Sequence, residues 1–409
     1  MINELLNFNN EPNSAAQIKV IGVGGGGGNA VNYMYRKGIA DVGFMLCNTD
    51  AQALANSPVP LKIQLGGKAT EGRGAGNMPE LGRKAAEESF DQIRSMLEGT
   101  TDMVFITACM GGGTGTGAAP VVAQLCRELN ILTIAVVTVP SKSEGHKRYD
   151  QALAGIDEIQ QHVDSLLVID NEKIRKIYGD LPASKAFSKA DQILTTAVKG
   201  IAEIITLHGN INIDFADVST VMSGSKVFIM GTGFAEGEGR ALRAVEDALE
   251  SPLLDSNDIY GTNEILLNIT SGKEEITIGE IGEIIELLQK KAGADANIIW
   301  GNGYDQHLGE QISVTIIATG FKKNPSAILQ KRDQLPDEKI AFDINAEELF
   351  ITDENETNEL DDESKRNNEE KSIKMPVPKK VNKKKPEKEG WLKRQLDLFF
   401  EEKSADLNQ

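Results

Sequence analysis

Met110-Gly111-Gly112-Gly113-Thr114-Gly115-Thr116-Gly117 follows the apolar run 103–107 and precedes a helical stretch that starts at Ala118. Glycines after a strand let the backbone approach a phosphate, and a following helix aims its first N–H groups at the same point. A structural turn rarely needs five glycines and two threonines in seven residues.

A second run of this kind lies upstream. Gly22-Val23-Gly24-Gly25-Gly26-Gly27, followed by Gly28 and Asn29, sits between the strand-like run 18–23 and a helical stretch at 29–37. Alone it satisfies G-x-G-x-x-G, and a dinucleotide site of the Rossmann kind fits it equally well. Two strand–glycine–helix elements, however, can aim their donors at one polyphosphate. A dehydrogenase needs only one. The chain has no G-x-x-x-x-G-K-[ST], which excludes a P-loop NTPase.

The βα rhythm continues outward from these loops. Residues 44–47 read as a strand closed by Asn48-Thr49-Asp50, and 131–139 is nearly all apolar and β-branched, as a central parallel strand should be. This pattern predicts an α/β fold with a doubly wound, Rossmann-like nucleotide-binding domain. Residues 182–208 form one long helical pattern. Pro182 stands at its first turn, Ile193, Ala197, Ile201, Ile204 and His208 make a stripe at three- and four-residue spacing, and Gly209 is a stop. Strand-like runs at 226–230, 264–269 and 312–319, with a helix at 278–291, then predict a smaller mixed α/β domain. The expected division is a flexible start at 1–17, a nucleotide domain at 18–181, the central helix at 182–209, a C-terminal domain at 210–320, a disordered linker at 321–388 and a terminal peptide at 389–409.

The linker expectation rests on composition. Residues 353–370 are acidic and asparagine-rich, and 371–388 are basic with three prolines, too polar to bury a core. Trp391, Leu392, Leu396 and Phe399 then return at helical spacing. They read as a partner-binding peptide or as a helix that packs back on the body. The whole chain has 409 residues and a net charge of -18, which disfavours a general affinity for nucleic acid or anionic lipid. Its three cysteines, Cys47, Cys109 and Cys126, form neither a disulfide framework nor a zinc site, and no residue set is expected to cage a metal by itself. Residues 1–17 lack the features of a signal peptide and no run suits a membrane span, so a cytoplasmic protein without direct membrane insertion is expected.

Gly111 to Gly117 resembles the phosphate-loop signature of the tubulin/FtsZ GTPase family. The first glycine run and Asn48-Thr49-Asp50 also resemble that family, and the similarity runs from Ile18 to Gly320 through 72–80, 144–148, 212–217 and 251–254. The resemblance implies GTP or GDP, with Mg2+ bridging the phosphates. It implies that Gly25, Gly26, Gly27, Gly28 and Asn29, with Gly111, Gly112, Gly113, Thr114, Gly115, Thr116 and Gly117, cradle the phosphates. Gly74, Ala75 and Gly76 would lie nearest the γ-phosphate, and Glu144 and Arg148 would meet ribose and phosphate. Asn29, Asn171 and Asp191 would bond guanine, and Phe187 would stack on it. The implied partners are further copies of the chain, head to tail, and division proteins that tether it to the membrane at midcell through the terminal peptide. Cys109, Asn77-Met78 and the terminal peptide depart from the usual family pattern.

The chemistry of the residues agrees. Guanine offers two adjacent donors that the Asp191 carboxylate can accept as a pair. Phe187 and Asp191, four apart, share a helix face, although a core phenylalanine and a solvated aspartate would share that spacing too. Asn212, Asp214 and Asp217 could orient an attacking water, or could belong to an ordinary connection. From Asp191 to that segment, about 20 helical residues at about 1.5 Å each give roughly 30 Å. If Asp191 meets the base, these carboxylates can serve only another subunit's nucleotide. Head-to-tail stacking that does not close makes a filament. Two rival readings remain at this level: an NAD-dependent oxidoreductase, which leaves the second loop unexplained, and a tubulin-like protein that segregates plasmids or shapes cells.

Overall fold

A computed structural model describes residues 18–39, 41–206, 209–250, 259–293 and 295–321, with the backbone alone at 183, 184, 187, 209 and 210. The expectations for 1–17, His208, the Phe187 side chain, 251–254, the linker from 322 and the terminal peptide fall outside these residues.

The first half alternates strand and helix. Its strands are β1 (Ile18–Val23), β2 (Val42–Asn48), β3 (Leu61–Gln64), β4 (Met103–Cys109), β5 (Leu132–Val139) and β6 (Ser165–Asp170). Its helices are α1 (Gly24–Lys37), α2 (Ala51–Ala55), α3 (Pro79–Glu88), α4 (Phe90–Leu97), α5 (Thr114–Glu128), α6 (His146–Ile159) and α7 (Asn171–Tyr178). The six strands are parallel, in the order β3-β2-β1-β4-β5-β6. This is the doubly wound order, and its direction reverses between β1 and β4.

Both faces of the sheet are covered, which explains the unbroken apolar runs of β4 and β5. Met103, Phe105, Ile134 and Val136 enter one core, whereas Val104, Ile106, Ala135 and Val137 enter the other with α3 to α6. A parallel strand buried on two sides has no face on which to place polar residues.

The long helix α8 (Ala183–Thr206) follows. Leu194, Ala197, Val198, Ile201, Ala202 and Ile204 bury the face read from the sequence. Gly200 lies where a side chain would meet the Met230 side chain, so its absence lets the helix sit close to a strand. Gly209, expected as a stop, begins β7 (Gly209–Ile211) instead.

The second half contains α9 (Phe215–Met222), β8 (Lys226–Glu236), α10 (Arg240–Leu249), β9 (Glu264–Ser271), α11 (Ile278–Ala292), β10 (Asn297–Tyr304) and β11 (Gln311–Thr319). Its strand order is β8-β11-β9-β10-β7, mostly antiparallel, with β9 and β10 parallel. Two residue pairs of β6 and β8, Ser165 with Lys226 and Leu166 with Val227, join it to the first sheet. Phe228, Met230, Leu266 and Ile317 share the core of α8 and the first sheet, while α10 and α11 cover the opposite face. Helix α11 starts with a reciprocal cap, in which Thr277 accepts from Glu280 N and Glu280 accepts from Thr277 N. Among the described residues no helix is long and apolar enough to cross a membrane.

Ile201 is fully buried where both halves meet α8, whereas Ile193 is only partly buried. Ile201→Ala should cost about 2–5 kcal/mol of stability through the cavity it leaves, and Ile193→Ala less than half of that. Urea unfolding followed by circular dichroism measures both. Equal losses would mean that the shared core does not carry the stability assigned to it.

Candidate functional site

The sheet direction reverses between β1 and β4, which opens a crevice at their carboxyl ends. Each strand leads into a glycine run there, and each run starts a helix earlier than the sequence reading placed it. Helix α1 begins at Gly24 rather than at 29, and α5 at Thr114 rather than at Ala118. Glycine's weak helix propensity hides both starts. Neither helix has a side-chain cap or an acidic residue in its first turn. Their leading N–H groups and the positive ends of their dipoles therefore suit an anion.

The glycines divide into two groups by what a side chain would meet. At Gly25, Gly28, Gly74 and Gly112 it would enter open space. At Gly76 it would make only an ordinary contact with the Met78 side chain, and at the others it would strike protein. Gly26 abuts the Cys109 side chain, Gly27 the Thr107 carbonyl and Gly117 the Pro79 carbonyl. A Cβ on Gly111 would lie 2.7 Å from the Arg148 carbonyl oxygen, one on Gly113 2.8 Å from Met78 N, and one on Gly115 2.6 Å from the Cys109 carbonyl oxygen. Gly24 has φ +75°, and its Cβ would lie 2.9 Å from Gly115 N, so the two runs touch. Only the first group leaves room for a ligand; the second allows helices and loops to pack.

Hydrogen bonds tie neighbouring loops to this floor. Thr49 and Thr114 share a hydroxyl–hydroxyl bond of 2.6 Å, and Gly74 N donates to the Thr49 carbonyl at 3.2 Å. Thr116 Oγ1 accepts from Gly111 N at 2.8 Å. Gly74, Gly76 and Asn77 all have positive φ, a conformation that asparagine tolerates, so the departure at Asn77 is compatible with the turn. Ala75 is buried, with its methyl against Gly113.

Polar groups gather beside the crevice. Arg148 and Glu144 are paired at 3.2 Å. Asn171 Oδ1 is buried with no hydrogen-bond partner among the described residues, a costly state that a donor from a ligand would relieve. Asp191 on α8 is half-buried, and burial pushes its carboxyl up to about 6. Burial, and after it the Asp191 charge, also pushes the Tyr33 hydroxyl on α1 up. Burial raises the Cys109 thiol, Thr138 pulls it back, and Asp191, Arg148 and Glu144 all reach it. Asn29 is exposed on α1, beside a pocket that Gly25, Gly28, Asn32 and Asn48 also line. Of the base-side set, Phe187 has only its backbone described, on α8 four residues before Asp191.

Asn212, Asp214 and Asp217 lie beyond the far end of α8. Asp214 caps α9: its Oδ1 accepts from Asp217 N at 2.9 Å, and Asp217 Oδ2 accepts from Asp214 N at 3.2 Å. The segment is thus a capped helix start rather than an unstructured connection. Each carboxylate keeps a second oxygen beyond these bonds, and Asp214 is exposed. Sequence reasoning passed over Tyr33, Ser141 and Glu172. Only Ser141 carried a readable signal, the S-x-x-E pattern that ends at Glu144.

Comparison with known proteins matches residues 17–179 to the model of the Tubulin/FtsZ family GTPase domain, and 227–322 to that of the FtsZ family C-terminal domain. The cell division protein FtsZ of Porphyromonas gingivalis is 50% identical over 325 residues, covering 78% of this chain and 71% of that protein. A structure of an FtsZ dimer from M. jannaschii superposes with a TM-score of 0.69 at 41% identity, covering 76% of this chain and 89% of that one. A GTPγS-bound CetZ2 protofilament from Haloferax volcanii shares the fold, with a TM-score of 0.65 at 18% identity over 78% and 98% of the two chains. The two family models matched in order, and the identity held over most of both chains, show that this chain belongs to the FtsZ branch of the tubulin/FtsZ family of GTPases.

Proposed function

We propose that this GTPase polymerises head to tail, that it hydrolyses GTP at the junctions between its copies, and that its filaments build a division ring. The observation that carries the reading is the pair of uncapped helix starts, α1 and α5, meeting at the switch point beside glycines with open space. Two dipoles and their free N–H groups suit a polyphosphate. Gly25, Gly28 and Gly112 would let it approach, and Gly74 would line its terminal end. The remaining glycines and Thr114 and Thr116 would hold the cradle in shape. Asn171 and Asp191, with Asn29 and Phe187, would read the base, and Glu144 and Arg148 the sugar and phosphate.

Mg2+ fits as a phosphate-held ion. Among the described residues no group of three acidic, histidine or cysteine side chains could cage a metal, and Mg2+ commonly rests on substrate phosphates plus one or two protein oxygens. There it would neutralise charge that develops on the phosphates. The protein's own part is to hold the nucleotide and present a water to it.

That water falls to Asn212, Asp214 and Asp217 of the next copy. From Asp191 to Thr206, α8 spans about 22 Å at about 1.5 Å per residue, and the carboxylates begin beyond its end. A loop that cannot reach its own nucleotide can still reach one stacked beneath it. The dimer formed by the related M. jannaschii FtsZ supports such stacking. A cytoplasmic ring at midcell, tethered through the peptide at 389–409, completes the reading. A tagged copy that never gathers at midcell would count against it.

The decisive experiment mixes two variants while light scattering and phosphate release are followed after GTP and Mg2+ are added. Asp214→Asn keeps the cap, since its carboxamide oxygen still accepts from Asp217 N. It should bind GTP and assemble, yet hydrolyse about 10²-fold more slowly. Gly112→Val should lose nucleotide binding, because its side chain would fill open space without straining the backbone. Gly115, which packs against Cys109, is the poorer choice. Together the variants should recover part of the wild-type rate, and the recovery should vanish on dilution. A co-assembled mixture as inactive as its components would sink the shared site.

The raised Asp191 carboxyl gives a second outcome. An aspartate whose proton is held up to about pH 6 favours folding below pH about 4, and loses that favour as the pH rises through about 6. At pH 7.5 without nucleotide, Asp191→Asn should therefore raise the melting midpoint, yet weaken GDP binding at least tenfold. Wild-type affinity should be flat above pH about 7 and fall as the pH drops through about 6. Unchanged GDP affinity in the variant would remove Asp191 from the site.

A further inference from the structure

Ser141 is almost fully buried at the turn between β5 and α6. It has a local task, capping the short turn 142–144. Its Oγ accepts from Ser143 N at 3.3 Å, and Glu144 Oε1 accepts from Ser141 N at 3.0 Å. That task does not explain its other bond. The same hydroxyl donates across the fold to the Glu172 carboxylate, 31 residues on.

Glu172 is the second residue of α7, directly after Asn171. The Arg175 guanidinium holds it from the next turn, with Nε 3.2 Å from Oε1. Arg175 first, and Ser141 with it, keep the carboxyl below its usual range, so it is an acceptor throughout the pH range of the assays. Asp170 Oδ1 accepts from Glu172 N at 2.8 Å and fixes the start of the helix.

Followed in the other direction, the chain of bonds leads into the phosphate floor. Ser141 holds Glu144, Glu144 pairs with Arg148, and the Arg148 backbone packs on Gly111. Two segments far apart in sequence, 141–148 and 170–175, are thus clipped together at one point. One carries Glu144 and Arg148; the other carries Asn171, whose Oδ1 has no partner among the described residues.

We propose that Ser141 and Glu172 are a positioning pair, whose hydrogen bond sets the separation between Glu144 and Asn171 on the two sides of the bound nucleoside. Neither residue touches the nucleotide. The proposal rests on the assignment of Glu144 and Asn171 to the nucleotide made above. The pair acts before chemistry, on binding, so it governs KM and leaves the turnover rate of assembled, saturated protein unchanged.

The test uses the full chain, with GDP affinity from calorimetry and GTPase kinetics above the assembly threshold. Glu172→Ala and Ser141→Ala should each weaken GDP about five- to tenfold, the worth of one ordinary hydrogen bond felt at the site it positions, and raise KM by the same factor with kcat unchanged. Their double variant should be no worse than the weaker single one, because both remove the same bond. Glu172→Gln keeps an acceptor oxygen and should stay within twofold of wild type. A purely structural role would instead lower the melting midpoint and kcat together and would give additive losses. Asn171→Ala and Glu144→Ala run in parallel. If these weaken binding while Glu172→Ala does not, or if the two losses add, the clip is wrong although the site stands. If Asn171→Ala and Glu144→Ala leave GDP affinity intact, the site assignment fails and the clip with it.

Discussion

A single buried rod constrains everything else in this molecule. Helix α8 runs for 24 residues without a proline, and its apolar face fills one core together with strands from both halves of the fold. A helix packed on both flanking sheets cannot bend or slide without opening cavities on each side. What lies near its start and what lies past its end are therefore held apart, by about 22 Å of helix from Asp191 to Thr206 alone, at about 1.5 Å per residue. Asp191 belongs to the first group, and the capped segment at 212–217 to the second. Separation of Asp191 from the 212–217 carboxylates is thus a property of the fold, and under the roles proposed for them assembly would be the means of bringing base recognition and water activation together.

The crevice at the opposite end obeys a different rule. Helices normally satisfy their first N–H groups with serine, threonine or aspartate caps, and α2, α7, α9 and α11 do so through Asp50, Asp170, Asp214 and Thr277. Helices α1 and α5 do not, and neither do α3, α4, α6 and α10, but α1 and α5 are the two uncapped helices that start at the switch point. Donors kept open in a buried, glycine-lined floor cost stability in the empty protein. Asn171 Oδ1 and the raised Asp191 carboxyl carry the same kind of cost. In the proposed reading, an anion and a base with paired donors in the crevice would offset all of them.

The sequence disclosed the features that repeat or persist over many residues. Strands β4 and β5 were legible because burial on both faces leaves no polar positions, and α8 because its stripe continues for about four turns. The two glycine runs were legible as strand-to-helix junctions, although their helix starts were misplaced by four or five residues, since glycine mid-run looks like loop. Uniform glycine also concealed a division of labour: Gly112 faces open space and Gly115 faces backbone, and nothing in the letters separates them. Asp214 and Asp217 appeared as free carboxylates because their mutual cap depends on α9, a helix of only eight residues. The bond from Ser141 to Glu172 joins segments with no local pattern in common, and only the folded chain brings them within reach.

The contact between Gly26 and Cys109 bears on how this sequence could have arisen. A side chain at position 26 would overlap the Cys109 sulfur and Cβ, while the Cys109 Cα lies at an ordinary 3.8 Å. The prohibition comes from the neighbouring thiol, not from the main chain. The two positions are therefore sterically coupled. A glycine at 109 would remove the clash and make room for alanine at 26, whereas alanine at 26 beside cysteine at 109 would clash. Freedom at 26 thus depends on the size of the residue at 109, and any change at 26 has to follow or accompany a reduction there.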